Sequence, residues 1–175
     1  MPRPHPPAPA DDERVLTMRE LLLLRHAEAM NAGPDGRDAE RPLSVHGQAQ
    51  ARAVGAWLAE QGAQPDAVLC SPARRAQMTA DAACTALRTR TPQFLPGIYR
   101  ATPGELLSLV ETHAPDARQI LLVGHNPGME QLLALLTEGR SAGARGMSPA
   151  ELAWIDIADD ALEPGHGRLR ALWSP

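Results

Sequence analysis

The sequence contains no lysine, so arginine supplies all 17 of its basic residues. A Walker-type phosphate loop needs a lysine to reach the phosphates, and Schiff-base chemistry needs a lysine amine. The absence of lysine therefore excludes P-loop nucleotide hydrolysis and lysine-based covalent catalysis as functions of this chain.

Cysteines, apolar runs and excess positive charge are also scarce. Cys70 and Cys84 do not have CxxC or metal-ligand spacing, so we expect both to be reduced and structural. No apolar run is long enough to span a bilayer, and the first residues lack the apolar stretch of a signal peptide. The formal net charge of −4 argues against a nucleic-acid surface or a polybasic membrane patch. We expect a soluble, cytoplasmic protein that binds neither nucleic acid nor membrane.

The apolar residues that are present suffice for one domain with a real core. The chain has 175 residues, of which 43% are hydrophobic, but only 3% are aromatic. Leu, Val, Ile and Ala must therefore fill the core. Residues 1–17 are rich in proline and predict a disordered tail, whereas residues 18–175 predict a single domain.

Strand and helix patterns alternate along that domain. Short apolar runs bounded by turn residues predict strands at residues 21–24, 66–70, 94–98, 119–124, 152–157 and 168–172. Capping residues predict intervening helices at Ser44, Ser71, Thr102 and Asn126. This alternation predicts an α/β fold, a three-layer sandwich with a mostly parallel central sheet and helices on both faces.

Basic residues follow three of the predicted strands. Arg25 and His26 end the first strand, Arg75 follows the second, and His125 follows the fourth. Because the carboxyl ends of parallel strands meet at one edge, these side chains should converge where helix N-termini point their free N–H groups. Such a positive pocket suits a phosphoryl group, since guanidinium forks match phosphate oxygens. The alternative is a set of charged strand ends that face water.

Four segments resemble motifs of the histidine phosphatase superfamily, also called phosphoglycerate mutase-like. They are RHAEA at residues 25–29, RPLSVHGQAQA at 41–51, CSPARRAQMTA at 70–80 and LLVGHNPGM at 121–129. The short form with RPLS and GHNPG is most similar to the SixA-type phosphohistidine phosphatases. Ala27 departs from the RHG form of many members. The resemblance implies the phosphoglycerate mutase-like fold and a phosphatase that needs no metal and no other cofactor.

The resemblance also implies roles for four residues. His26 matches the residue that becomes phosphorylated, and Arg25 matches the arginine beside it that grips the phosphate. Arg75 and His125 match the second arginine and the second histidine, which hold the transferring phosphoryl group. Neutral imidazole is a competent nucleophile, and the arginines supply the positive charge for phosphoryl transfer. Arg74 is an extra arginine that we expect to be solvated.

Two carboxylates are candidates for the acid that protonates the leaving group. In mutase-like branches this acid lies in a long insertion, but here only 50 positions separate Arg75 from His125. Glu105 lies in that segment, where it also fits the capping box of its own helix. Glu28 is nearer to His26 in sequence, where it equally fits an exposed loop. Both interpretations of each carboxylate stay open.

Two other chemistries and one non-catalytic function are alternatives to a histidine phosphatase. A cysteine phosphatase needs a C-x5-R loop, and the position that this spacing gives from Cys70 is Ala76, not an arginine. Zinc binding by His26, His125 and Cys70 would be opposed by the adjacent arginines. A non-catalytic phosphate-binding or interaction module on the same fold is the alternative from another class.

The short segment between Arg75 and His125 also bears on the substrate. It leaves little chain for a lid, so we expect a shallow, open pocket that a phosphorylated protein can reach. Imidazole, with a reference pKa of about 6.5, leaves more readily than a sugar alkoxide and needs less help from an acid. We therefore expect phosphohistidine on a protein as substrate, with phosphate as product. The alternative is a broad phosphomonoesterase for small molecules.

Overall fold

The computed structural model describes residues 18–143, 145–158 and 162–175. Its centre is a single six-stranded sheet of order β3-β2-β4-β1-β5-β6. The strands are β1 (Met18–Arg25), β2 (Ala67–Cys70), β3 (Gln93–Phe94), β4 (Gln119–Gly124), β5 (Leu152–Ala158) and β6 (Gly167–Trp173). Strands β1 to β4 pair in parallel, whereas β5 and β6 are antiparallel. The prediction of a mostly parallel sheet is therefore confirmed.

Helices cover both faces of the sheet. They are α1 (Val45–Glu60), α2 (Arg74–Leu87), α3 (Pro103–His113) and α4 (Gly128–Glu138). Helices α3 and α4 bury their apolar side chains on one face, and α1 and α2 bury theirs on the other. The predicted three-layer sandwich is confirmed.

The four consecutive leucines of β1 follow from this arrangement. Leu21 and Leu23 belong to the core beneath α3 and α4, whereas Leu22 and Leu24 belong to the core beneath α1 and α2. Successive side chains of a strand point to opposite faces, so a central parallel strand needs apolar residues at every position. The run of leucines thus places Arg25 and His26 at the end of a strand that is buried on both faces of the sheet.

Two of the predicted helix starts are confirmed with their hydrogen bonds. The Ser44 hydroxyl accepts from the backbone N–H of Gly47 at the start of α1. At the start of α3, Thr102 and Glu105 form the complete capping box that the sequence predicts. Both caps use residues only three positions apart, so they depend on local chain geometry alone.

The other two predicted helix starts are wrong, by two residues for α2 and by one residue for α4. Helix α2 begins at Arg74 rather than after Ser71, and α4 begins at Gly128 rather than after Asn126. The Ser71 hydroxyl lies against His125, and the Asn126 amide donates to Glu130 instead of capping. Neither side chain therefore caps the first turn of its helix, although the Ser71 hydroxyl still accepts from the Ala73 backbone N–H at 3.3 Å.

The third predicted strand is shorter than expected. Only Gln93–Phe94 pairs with β2, and Pro96–Ile98 forms a turn of 3-10 helix instead of continuing the strand. Proline has no N–H for a strand ladder, and its fixed φ suits the first turn of a helix. The chain thereby bends towards Tyr99 and the carboxyl edge of the sheet.

None of the described helices has the length and apolar character needed to cross a membrane. The predicted tail, residues 1–17, lies outside the described residues. That residues 18–175 form one domain remains our proposal, and it agrees with the single sheet to which all six strands contribute.

Candidate active site

The three predicted strand ends meet at one edge of the sheet. Strand β4 lies between β1 and β2, so His125, which follows β4, is flanked by the ends of both neighbours. The backbone N–H of His26 donates to the Gly124 carbonyl at 3.0 Å. The centres of the His26 and His125 rings are 5.0 Å apart. Arg75, in the first turn of α2, completes the group.

His26 has a defined tautomer in this site. Its Nδ1 lies 2.8 Å from the Ala27 carbonyl oxygen, which can only accept a hydrogen bond. Nδ1 therefore carries the proton, and Nε2 accepts a hydrogen bond from Arg75 Nε at 3.3 Å. The pKa of His26 is lowered to about 4, chiefly by burial and also by the charges of Arg75 and Arg25, while the Ala27 bond opposes the shift. At neutral pH the ring is thus uncharged, with a nucleophilic lone pair on Nε2.

Arg75 is buried, with only 6% of its surface exposed. Besides its bond to His26, it donates from one terminal nitrogen to the Asp38 backbone carbonyl at 2.7 Å and from the other to Asp38 Oδ2 at 3.1 Å. Thr79, one turn along α2, donates to the Arg75 carbonyl and accepts from the backbone N–H of Ala27. The first turn of α2 is therefore held against the loop that carries His26.

His125 lies on the other side of the site. Its Nε2 is 2.7 Å from the Ser71 hydroxyl, and the Tyr99 ring packs edge-on against it at 5.4 Å. The pKa of His125 is lowered to about 3, chiefly by burial and also by the neighbouring His26 and Arg75. Its Nδ1 is buried and makes no hydrogen bond within the described part of the chain.

Arg25 is held by the segment that precedes β5. One terminal nitrogen donates to the Met147 carbonyl, which also accepts from the Asn126 amide at 3.0 Å. The Asn126 amide donates in addition to Glu130. The Nε of Arg25 is buried and has no hydrogen-bond partner among residues 18–143, 145–158 and 162–175. Because buried polar groups are normally paired, this unused donor marks a place for an acceptor such as a phosphoryl oxygen.

Sequence reasoning missed Asp38 and Tyr99. The Tyr99 hydroxyl and Arg41 donate to the Asp38 carboxylate, and Arg75 lies beside it. Together these contacts hold the pKa of Asp38 well below its usual range, the Tyr99 bond having the largest effect. Asp38 precedes the RPLS segment by three residues, but a loop aspartate carries no periodic signal that would single it out.

Neither carboxylate predicted as a possible acid is bonded to the four-residue core. Glu28 accepts from the Ser44 hydroxyl at 2.6 Å, at the start of α1. Glu105 accepts from the backbone N–H of Thr102 at 2.8 Å, and this bond is the main cause of its lowered pKa. Both carboxylates stabilise helix starts.

The competing chemistries find no support in the geometry. Cys70 is buried, its thiol donates to the Ser71 carbonyl, and burial raises its pKa. It is therefore a poor nucleophile. Within the described ranges, no three His, Cys, Asp or Glu side chains are grouped as metal ligands. Arg74 is exposed, in contrast to Arg75 beside it.

A pocket of about 290 Å³ opens beside Arg75 and His125. The ring of Tyr99 forms one wall, and the guanidinium of Arg100 lies over that ring at 5.4 Å. Gln131 of α4 also lines the pocket. Tyr99 follows the 3-10 turn at Pro96–Ile98, so this turn places an aromatic wall beside the site.

Comparison with known proteins agrees with this geometry. The model of the histidine phosphatase superfamily (branch 1) matches residues 21–98. A structure from Agrobacterium tumefaciens, assigned as phosphohistidine phosphatase SixA, is 30% identical with a TM-score of 0.77, over 89% of this chain and 98% of that chain. A structure with the same assignment from Nakamurella multipartitia is 27% identical with a TM-score of 0.77, over 90% of this chain and 96% of that chain.

The fold is shared more widely. A structure from Escherichia coli str. K-12 substr. MG1655, assigned as an alpha-ribazole-5'-P phosphatase, is 20% identical with a TM-score of 0.66, over 89% of this chain and 96% of that chain. These likenesses confirm the phosphoglycerate mutase-like fold. This chain belongs to the histidine phosphatase superfamily and is a phosphatase that works through histidine.

Proposed function

We propose that this phosphatase removes phosphate from phosphohistidine on a protein, with His26 as nucleophile and Arg25, Arg75 and His125 as the groups that bind the phosphoryl oxygens. The observation that carries the substrate class is the state of the carboxylates. Among the described residues, Asp38 is the carboxylate bonded to this core, and its contacts keep it ionised. Glu28 and Glu105 are bonded to helix starts instead.

The nucleophilic step follows from the tautomer of His26. The Nε2 lone pair attacks phosphorus in line, a new N–P bond forms, and the bond between phosphorus and the substrate nitrogen breaks. The bonding electron pair leaves with the substrate imidazole. Water then attacks the phosphoryl group on His26, which returns the ring to its starting state and releases phosphate. Uncharged His26 suits this role because a protonated ring has no lone pair at Nε2.

The surrounding donors match the charge that develops during transfer. Arg25 Nε and His125 Nδ1 are both buried and without a partner within the described residues, and Nδ1 donates in the tautomer whose Nε2 accepts from the Ser71 hydroxyl. Arg75 uses three of the five N–H groups of its guanidinium, which leaves two for phosphoryl oxygens. Preorganised donors in a site shielded from water stabilise such charge strongly. The positive charge needed for phosphoryl transfer thus comes from this chain's own arginines.

Because no protonated carboxylic acid is bonded to this core among the described residues, the leaving group determines which substrates can react. A sugar or alkyl phosphate must release an alkoxide, which needs a proton as its bond to phosphorus breaks. An imidazole takes up a proton near neutral pH at its remote nitrogen and leaves as a neutral ring. A phosphohistidine substrate therefore fits a site whose nearby carboxylate is ionised. The similarity to two structures assigned as phosphohistidine phosphatases supports the same substrate class.

The substrate class is tested by comparing kcat/KM across substrates. The panel is a phosphotransfer domain phosphorylated on histidine, free phosphohistidine, and sugar, nucleotide and aryl phosphate esters. We expect the phosphorylated domain to have the highest kcat/KM. If an ester exceeds it by about tenfold, the substrate proposal is wrong, and the pocket beside Tyr99 would then indicate the small-molecule phosphomonoesterase.

The nucleophile is tested separately from the substrate. The enzyme is mixed with a radiolabelled phosphate ester and quenched rapidly, which should trap an acid-labile, alkali-stable phosphoenzyme. An ester is used because it contains no phosphohistidine, so any labelled phosphohistidine must be on the enzyme. His26→Ala should abolish both the label and turnover. His46→Ala, which changes an exposed histidine of α1, is the matched control and should retain both. Full turnover by the His26→Ala protein would contradict the assignment.

A further inference from the structure

The carboxylate of Asp38 is the meeting point of three side chains at the edge of the site. Asp38 begins a short turn of 3-10 helix, Asp38–Glu40, in the loop between β1 and α1. Its Oδ2 accepts from Arg75 at 3.1 Å and from the Tyr99 hydroxyl, and its Oδ1 accepts from Arg41 at 2.9 Å. Both oxygens are therefore held, and the carboxylate cannot rotate without breaking hydrogen bonds.

The contacts of Asp38 determine the plane of the Arg75 guanidinium. One terminal nitrogen of Arg75 donates to the Asp38 carbonyl and the other to the Asp38 carboxylate, so a single residue accepts from both. A planar guanidinium gripped at two points has little freedom to turn. In this orientation the Nε–H of Arg75 points at His26 Nε2 and donates to it.

Asp38 does not belong to the folding core. Its side chain is 46% exposed, whereas that of Arg75 is 7% exposed. An ion pair with an exposed carboxylate partner usually contributes little to stability. The extensive bonding of Asp38 is therefore better explained by orientation of Arg75 than by stabilisation of the fold.

We propose that Asp38 is a positioning residue of the phosphatase reaction, acting through Arg75, whose fork it orients towards the phosphoryl group on His26. This inference rests on the proposed role of Arg75. Asp38 itself does not touch the phosphoryl group. Tyr99 and Arg41 hold the carboxylate in turn, so the loop before α1 and the wall of the pocket are joined at the same point.

Asp38→Asn is the sharpest substitution, because it keeps the shape and removes the charge. The amide presents its NH2 group either to Arg41 or to Arg75 and Tyr99, so the negative charge and at least one side-chain contact are lost, while the Asp38 backbone carbonyl still accepts from Arg75. Misplacement of a reacting group by about 1 Å can cost on the order of 100-fold in rate. We expect kcat to fall by about 10- to 100-fold, with a smaller change in KM and with the melting temperature close to that of the unchanged protein.

Asp35→Asn is the matched control. Asp35 lies in the same loop, is partly exposed and pairs with an arginine, Arg37, that does not reach the site. It should leave kcat unchanged. The NMR signal of the Arg75 Nε–H group, identified by its loss in Arg75→Lys, should shift in Asp38→Asn and stay in place in Asp35→Asn. A residue that only stabilises the loop would leave this signal and kcat unaltered at equal melting temperature.

A double-mutant cycle tests whether Asp38 acts through Arg75. In an Arg75→Lys background, Asp38→Asn should change kcat by less than about threefold, since coupled residues are not additive. Tyr99→Phe removes only the hydroxyl that holds Asp38. This substitution should lower kcat when it is made alone and should not lower kcat further when Arg75→Lys is already present. Additive losses, or normal kcat in Asp38→Asn, would overturn the inference while leaving the role of Arg75 intact. Near-normal turnover by Arg75→Lys itself would instead contradict the proposed function, and the inference with it.

Discussion

His26 illustrates how burial prepares a single residue for chemistry. An ordinary histidine has a pKa of about 6.5, whereas burial lowers that of His26 to about 4. The ring therefore stays uncharged, and nucleophilic, in mildly acidic solution. The unfolded chain binds a proton between these two pH values and the folded chain does not, so this histidine makes stability fall as the pH is lowered from about 6.5 towards 4.

The pH dependence of His26 is directly measurable. We expect its ring to titrate near pH 4 in an NMR titration, with Nδ1 protonated above that pH. The acidic limb of kcat/KM that belongs to the free enzyme should fall in the same range. The His26→Ala spectrum identifies the signal. A pKa near 6.5, or a proton on Nε2, would contradict the environment described for this residue.

Arg75 and Arg74 offer a comparison between adjacent residues. Arg75→Lys should lower kcat/KM by about 100- to 1000-fold, the usual cost of losing one donor to the transition state, because a lysine cannot reproduce the planar fork. Arg74→Lys changes an exposed neighbour on the same turn and should be nearly silent. Steady-state kinetics on both proteins checks the expectation. Equal kcat/KM values for the two variants would contradict the assignment of Arg75 to the site.

At the scale of secondary-structure elements, Gly47 joins the start of α1 to the loop that carries His26. A Cβ at this position would lie 1.9 Å from the Glu28 carbonyl oxygen, which also accepts from the Ser44 N–H. No L side chain fits that approach without displacement of the backbone. The glycine of the RPLSVHG segment therefore has a packing role, which places the first turn of α1 against the loop after β1.

Gly47→Ala should consequently destabilise the protein by about 1–3 kcal/mol through overpacking. Gly104→Ala is the matched control, since Gly104 also lies in the first turn of a helix but has open space around it. That change should be neutral or raise stability by about 0.4–1 kcal/mol. Urea unfolding of both proteins measures the two effects. Equal effects would show that helix propensity, not the contact with Glu28, governs both positions.

At the scale of the whole molecule, the division into a tail and a single domain is a prediction from composition. Removing residues 1–16 should leave the melting temperature and kcat/KM nearly unchanged, because Pro-rich terminal segments of this kind bury little apolar surface. Thermal unfolding and steady-state assays of the shortened protein check this. A large fall in melting temperature would show that the tail packs against the domain.

Much of the fold could be predicted because its signals are local. The four leucines of β1 predict a strand buried on both faces. The capping box of Thr102 and Glu105 forms within a single helical turn. Arg25, His26 and His125 could be placed together because parallel strands end at a common edge. The starts of α2 and α4 were misplaced because the Ser71 hydroxyl bonds to His125, and the Asn126 amide bonds to Met147 and Glu130, instead of capping the first backbone N–H groups of the helices.

By itself, the sequence determined the order of strands and helices, the edge at which the basic residues gather and the family to which the chain belongs, because each follows from short-range patterns. Only the tertiary structure decided that Asp38 grips Arg75 across 37 positions, that Tyr99 reaches Asp38 across 61, and that Ser71 meets His125 across 54. The charge states of the site depend on these long-range contacts and on burial, since the pKa of a side chain is determined by the groups packed around it in space.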